Sequence, residues 1–246
     1  MAQTTPIPPQ APLNPLFAQP VLLDSQRHRD LTYNPRCGYG FAAKLTAIPL
    51  TYAEFHLAAR DYPIVFAGPQ AAPVALLGLR NERNLLVDTN GNWRAERYIP
   101  AYLQQYPFLF LEDRQNGQFV LGIDESAEHF RPVEGAEPLF AGAATTPLVE
   151  KAADFLSGFH ADHQTTQVFT QGLLDSGLLI ERHADIRLND GEQISIDNFR
   201  IVDEAAFNAL PSKTIADWHK KSWLPLVYFH LQSLGNWSHL IDWSSN

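Results

Sequence analysis

The sequence predicts an α+β fold: a largely antiparallel sheet from the N-terminal half, packed with helices from the C-terminal half and joined by a late β-hairpin. Three observations carry that expectation. From Pro20 to about Ile123, apolar runs of strand length are separated by turn signals. Beyond Thr146, apolar residues recur at i, i+3, i+4 and i+7, the period of one buried helical face. Residues 179–199 then return to period two around Asn189-Asp190-Gly191. A length of 246 residues with 45% hydrophobic content suits one domain or two. The expectation is a Pro-rich arm over 1–19 and a single domain over 20–246, with no more than a subdomain change near 145.

The arm holds prolines 6, 8, 9, 12 and 15, which remove backbone donors and favour extended chain. A surface-laid tail is the plainer reading of it and a docking peptide the sharper one. Strands are expected at PVLLD (20–24), IVFAG (64–68), PVALLGL (73–79), NLLVDT (84–89), FLFLED (108–113) and QFVLGID (118–124). Several of these lack alternation, which predicts strands covered on both faces. The Asn-Gly pairs at 90–91 and 116–117 predict tight hairpin turns. Residues 51–61 and 99–106 read as short helices, the second with Pro100 in its first turn.

Thr146 and Pro147 form an N-cap and N1 pair. Leu148, Ala152, Phe155, Leu156 and Phe159 make the buried face of the helix that follows. Gly158 and the polar HADHQTT predict a break near 158–164, with a second helix ended by Gly177. Asp203 caps a short helix over 204–209. The last stretch, with Trp218, Trp223, Trp237 and Trp243, predicts two helices broken before Pro225.

Eighteen basic against 27 acidic residues give a formal charge of −9, which disfavours nucleic acid as a partner. The charge divides unevenly: 10 basic and 9 acidic residues up to 123, then 8 and 18. The single Cys37 excludes an intrachain disulfide and a multi-cysteine metal site. No apolar run approaches the roughly 20 residues of a membrane span, and the N-terminus lacks the basic and apolar regions of a secretory signal. A soluble, cytoplasmic protein is expected.

Candidate chemistry is sparse. No nucleophile elbow or phosphate loop is present. Gly38-Tyr39-Gly40 lacks the third glycine of a dinucleotide site and reads as a turn. Arg36 beside Cys37 would lower the thiol pKa, but with no assignable base an ordinary thiol is the plainer reading. His230, among apolar neighbours, reads as a hydrogen-bonded core histidine. His160 and His163, three apart with Asp154 nearby, give the alternative of a divalent transition-metal site, set against a polar helix junction; otherwise no cofactor is expected. The densest group of distinctive residues is 81–107, where Asp88, Trp93, Arg94, Arg97, Tyr98 and Tyr102 combine rigid aromatics with fork donors. Recognition surfaces prefer such residues, and so do cores at a sheet edge.

These stretches also carry a family resemblance. HRDLTY (28–33), IPLTYAEFHLAARDYPIVF (48–66), ALLGL with NLLVD, GNW and YIPAYLQQYPF (75–108), LGID (121–124), FRIVDEAAFNALP (199–211) and YFHLQSLGNWSHL (228–240) together resemble the bacterial SapC family. The resemblance implies soluble proteins of about this length, named from a surface-layer gene neighbourhood. It also implies genes near TonB-dependent receptors, flavin-dependent halogenases and cupin-like oxygenases. It carries no catalytic residues. The expectation is a non-catalytic accessory or interaction protein with a protein or peptide partner. The alternative is a metal-dependent enzyme acting on a peptide or small metabolite.

Overall fold

The computed structural model describes residues 3–6, 16–112, 118–188 and 191–244. The fold is α+β, as expected. Its main antiparallel sheet joins β2 (Ala47–Pro49), β4 (Ala72–Leu76), β3 (Ile64–Ala67), β8 (Gln193–Val202) and β7 (Leu179–Arg187) in that order. A short strand at Gln3–Pro6 lies parallel along Ile194–Asp197 of β8. A second sheet sets β6 (Phe119–Asp124) between β1 (Pro20–Leu22) and β5 (Phe108–Glu112).

The continuous apolar runs are explained by a sheet buried on both sides. Ile64 and Phe66 of β3 enter the larger core, while Val65 and Ala67 enter a second cluster on the opposite face. β4 divides likewise, Ala75 to the first and Val74 and Leu76 to the second. The larger core draws side chains from Leu16 through Val227 and so includes both halves of the chain. The end of the Pro-rich arm belongs to it, because Leu16 and Phe17 are buried.

NLLVDT forms no strand. A single bridge pairs Val87 with Trp93, and Asp88 to Asn92 make a turn in which Gly91 takes φ +80°. Its N–H groups are drawn to Asp88, whose carboxylate accepts from Asn90 and Asn92, each at 2.8 Å. The turn at 116–117 lies outside the described residues, although β5 and β6 pair up to Glu112 and Phe119. The two strands of the late hairpin pair antiparallel as expected, while Asn189 and Asp190 of its turn lie outside the described residues. An extra residue in β8 shifts its register, and Asn198 with φ +64° occupies that bulge.

The expected short helices are α1 (Phe55–Ala58) and α2 (Ala101–Gln104). The expected break near 158–164 does not occur: α3 runs unbroken from Pro147 to Asp175. Local pairs on its surface suit a continuous helix, with His160 to Gln164 at 3.1 Å and His163 to Gln167 at 3.2 Å. Of the expected buried face, Leu156 is buried and Leu148, Ala152 and Phe159 pack half-buried against the core, but Phe155 is 38% exposed; Val149 and Phe169 are buried as well. Asp203 caps α4 (Glu204–Asn208) by accepting Ala206 N–H at 3.1 Å. Three helices follow where two were expected: α5 (Ser212–Lys220), α6 (Trp223–Ser233) and α7 (Trp237–Ser244). The break falls at Ser222, with φ +58°, ahead of Pro225. The proline sits in the first turn of α6, where its missing N–H has no intrahelical partner to lose.

Candidate functional site

Residues 81–107 are built into the protein by two buried carboxylates from the preceding helical segment. Glu54 accepts from Thr51 N–H and Oγ1 at 2.8 and 2.9 Å, from Tyr98 Oη at 3.0 Å and from Ala101 N–H at 2.6 Å. Asp61 accepts Arg97 Nη1 at 2.9 Å and Tyr98 N–H at 2.8 Å. The Tyr62 hydroxyl donates to the Tyr98 carbonyl. Burial raises the Tyr98 and Tyr102 phenols far above their ordinary range, with Glu54 adding to the effect at Tyr98. Of the six residues singled out here, Arg94, Arg97, Tyr98 and Trp93 lie within one stretch of surface and subsurface. Tyr102 is buried, and Asp88 organises the neighbouring turn.

Arg94 and Arg97 stack over Trp243 of α7, with guanidinium carbons 4.4 and 5.3 Å from the ring centroid. Both fork donors thus fasten the last helix to the 94–97 segment, at about 0.5–1 kcal/mol per exposed contact. Gly38 and Gly40 pack against the Asn90-Gly91 turn. A Cβ at Gly38 would lie 2.5 Å from the Gly91 carbonyl oxygen. Tyr39 N–H donates to that same oxygen at 2.6 Å, so the glycine pair serves a close backbone approach.

His160, His163 and Asp154 all lie on α3. Among the described residues, no three His, Cys, Asp or Glu side chains group so as to hold a metal ion. His160 packs 4.9 Å from the Phe119 ring and meets the Gln164 amide. Burial, and then the neighbouring His160, lower the pKa of His163. Burial pushes the Cys37 thiol up, with Glu128 adding to it, so the thiol is not activated. His230 is fully buried and joins the sheet to α6. Its Nε2 accepts Val202 N–H at 3.0 Å, and its Nδ1 lies 2.9 Å from the Ile64 carbonyl. Burial lowers its pKa to about 4.

Two further buried groups gave no sequence signal. Asp124, fully buried, accepts Ala18 and Gln19 N–H at 2.8 and 3.1 Å, Ser126 Oγ at 2.6 Å and Tyr106 Oη at 3.2 Å. Burial raises its pKa, but the Ser126, Ala18 and Gln19 donors more than offset this and leave it below the ordinary value. His129 is 5% exposed and lies 5.6 Å from Tyr33 and 5.3 Å from Tyr106. Burial lowers its pKa to about 4.

An accessible concavity among the described residues lies elsewhere. An open groove of about 780 Å³ runs between α3 and the α5–α6 junction. One wall carries Gln164, Gln167 and Gln171 at helical spacing, with Val168 among them 61% exposed. The other carries Trp218, Trp223 and Lys221. Gly172 sets the closeness of the walls: a Cβ there would lie 2.3 Å from Cζ3 of Trp223. Lys221 Nζ covers the Trp223 ring at 4.3 Å. The glutamine spacing was a visible signal, hidden by the expectation of a break in the same stretch.

The architecture is that of an α+β protein with a helix-walled groove lined by amides and indoles. No helix among the described residues is long and apolar enough to cross a membrane. Residues 23–240 match the family model described as SapC, and the chain belongs to the SapC family. No curated protein and no solved structure matches the chain.

Proposed function

We propose that this SapC family member is a non-catalytic accessory protein that binds a segment of a partner protein in the α3/α5–α6 groove. The groove itself carries the reading. Three amide side chains spaced along one helix, each bonded along α3 through Nε2 to His160, His163 or Asp175, offer their second N–H and their oxygen to an extended backbone, and exposed Val168 offers apolar contact. The family resemblance suggests cytoplasmic partners encoded alongside, among uptake, halogenase or cupin-like oxygenase systems.

A photo-crosslinking residue at Val168 tests this in the native cell. The expected result is one stoichiometric protein adduct that is absent when the probe stands at Glu181, on the exposed outer hairpin. Equal labelling from both positions, or none from Val168, would overturn the reading.

A further inference from the structure

We propose that Asn90 is a guarded modification site: the turn around it keeps the chain from deamidating, and opening of that turn lets Asn90 become isoaspartate, which holds the turn open. The site is independent of the groove. Asn90 precedes Gly91, which has no side chain to shield its own backbone nitrogen. The reaction needs only that nitrogen and water. Gly91 N bonds to Asn90 Cγ, the Cγ–Nδ2 bond breaks, and Nδ2 leaves as ammonia with the proton that Gly91 N gives up. Water then opens the cyclic imide at either carbonyl. Opening at the main-chain carbonyl of residue 90 leaves isoaspartate, in which the backbone runs through Cγ and is longer by a carbon.

Asn90 is exposed, so water reaches it, but the backbone nitrogen that must attack is held. Gly91 N–H donates to the Asp88 carbonyl at 3.0 Å, and Asp88 N–H donates to the Asn92 carbonyl at 2.9 Å. The Asp88 carboxylate accepts Asn90 and Asn92 N–H, each at 2.8 Å, and the Asn92 side-chain amide at 3.2 Å. A second clamp comes from the 38–40 segment. Tyr39 N–H donates to the Gly91 carbonyl at 2.6 Å, and Gly38 lies so close that a Cβ there would overlap the same oxygen. Turns of this kind open locally without global unfolding, and only then is Gly91 N free to reach Cγ. A lengthened backbone at residue 90 no longer matches both clamps. Trp93, bridged to Val87 across the turn and 5.6 Å from the Tyr39 ring, is loosened with it.

The experiment ages the full chain at neutral pH, native and unfolded in guanidinium chloride, and follows residue 90 by mass spectrometry of the tryptic fragment 84–94. Native Asn90 should convert at least about tenfold more slowly than in the unfolded chain, because protection scales with the free energy of local opening. Equal rates would overturn the proposal. Asp88→Ala removes the inner clamp, and Gly38→Ala forces the outer one apart without touching the turn residues. Each should speed native conversion about tenfold at temperatures below the onset of its own melting, where global unfolding adds nothing. An unchanged rate in either variant counts against the guard. The isoaspartyl form, separated by its added negative charge, should lose hydrogen-exchange protection at the Tyr39 amide and shift its indole fluorescence. Full protection at Tyr39 in that form would overturn the claim that the turn stays open.

Discussion

At the scale of single residues, polar chemistry in this protein is directed inward. Asp61 is nearly fully buried and fixes both Arg97 and the Tyr98 backbone, so replacing it strands two donors. Asp61→Asn should cost about 1–3 kcal/mol in chemical denaturation, less than a fully buried pair because Arg97 is one-third exposed. A loss within the error of the melt would show that Arg97 is satisfied by solvent instead. The sequence marked Arg97 and Tyr98 as distinctive but could not name their partner, which lies 36 residues upstream. Residue type and local spacing record which groups can bond, whereas tertiary folding decides which do. His230 was legible for the opposite reason: a histidine inside an apolar helix has no solvent and must bond locally to backbone.

Among the elements, α3 is the one that local rules misjudged. Gly158 and a polar run suggested a break, yet side-chain pairs four apart lie along a continuous helix. The two glycines of α3 separate propensity from packing. A Cβ at Gly158 meets nothing within 4 Å, so Gly158→Ala should stabilise by about 0.5–1 kcal/mol. Gly172→Ala should instead destabilise by about 1–3 kcal/mol and disturb Trp223, because the added carbon overlaps the indole. Thermal melts with indole fluorescence read both, and equal signs for the two variants would contradict the close contact at Gly172. The strands were easier to read. In β3 and β4 the runs without alternation are buried on both faces, whereas the similar run in β6 leaves Phe119 and Val120 exposed. NLLVDT is similarly apolar yet forms only the Val87–Trp93 bridge, and composition alone cannot show that.

For the whole molecule, two buried neutral histidines tie stability to pH. His129 and His230 have folded pKa values of about 4 against an ordinary 6.5. Between those limits the unfolded chain binds protons that the native state refuses. Stability should therefore be level above about pH 6.5 and fall on acidification towards pH 4, by on the order of 3 kcal/mol per histidine. His129→Phe keeps an aromatic ring and removes one group, so it should roughly halve that acid sensitivity; an unchanged slope in urea midpoints against pH would refute the assignment. The bonds at Asp124 and His230 also bear on how the chain is made. Asp124 fixes residues 105 and 106 positions earlier, and His230 bonds a strand 166 positions earlier. A ribosome releasing this chain from its N-terminus therefore delivers the central strand β3 long before β8 and α6 exist to cover it. The nascent protein must hold that apolar strand unpaired on one side until almost the last helix has left the exit tunnel, so its need for chaperones should peak late in synthesis.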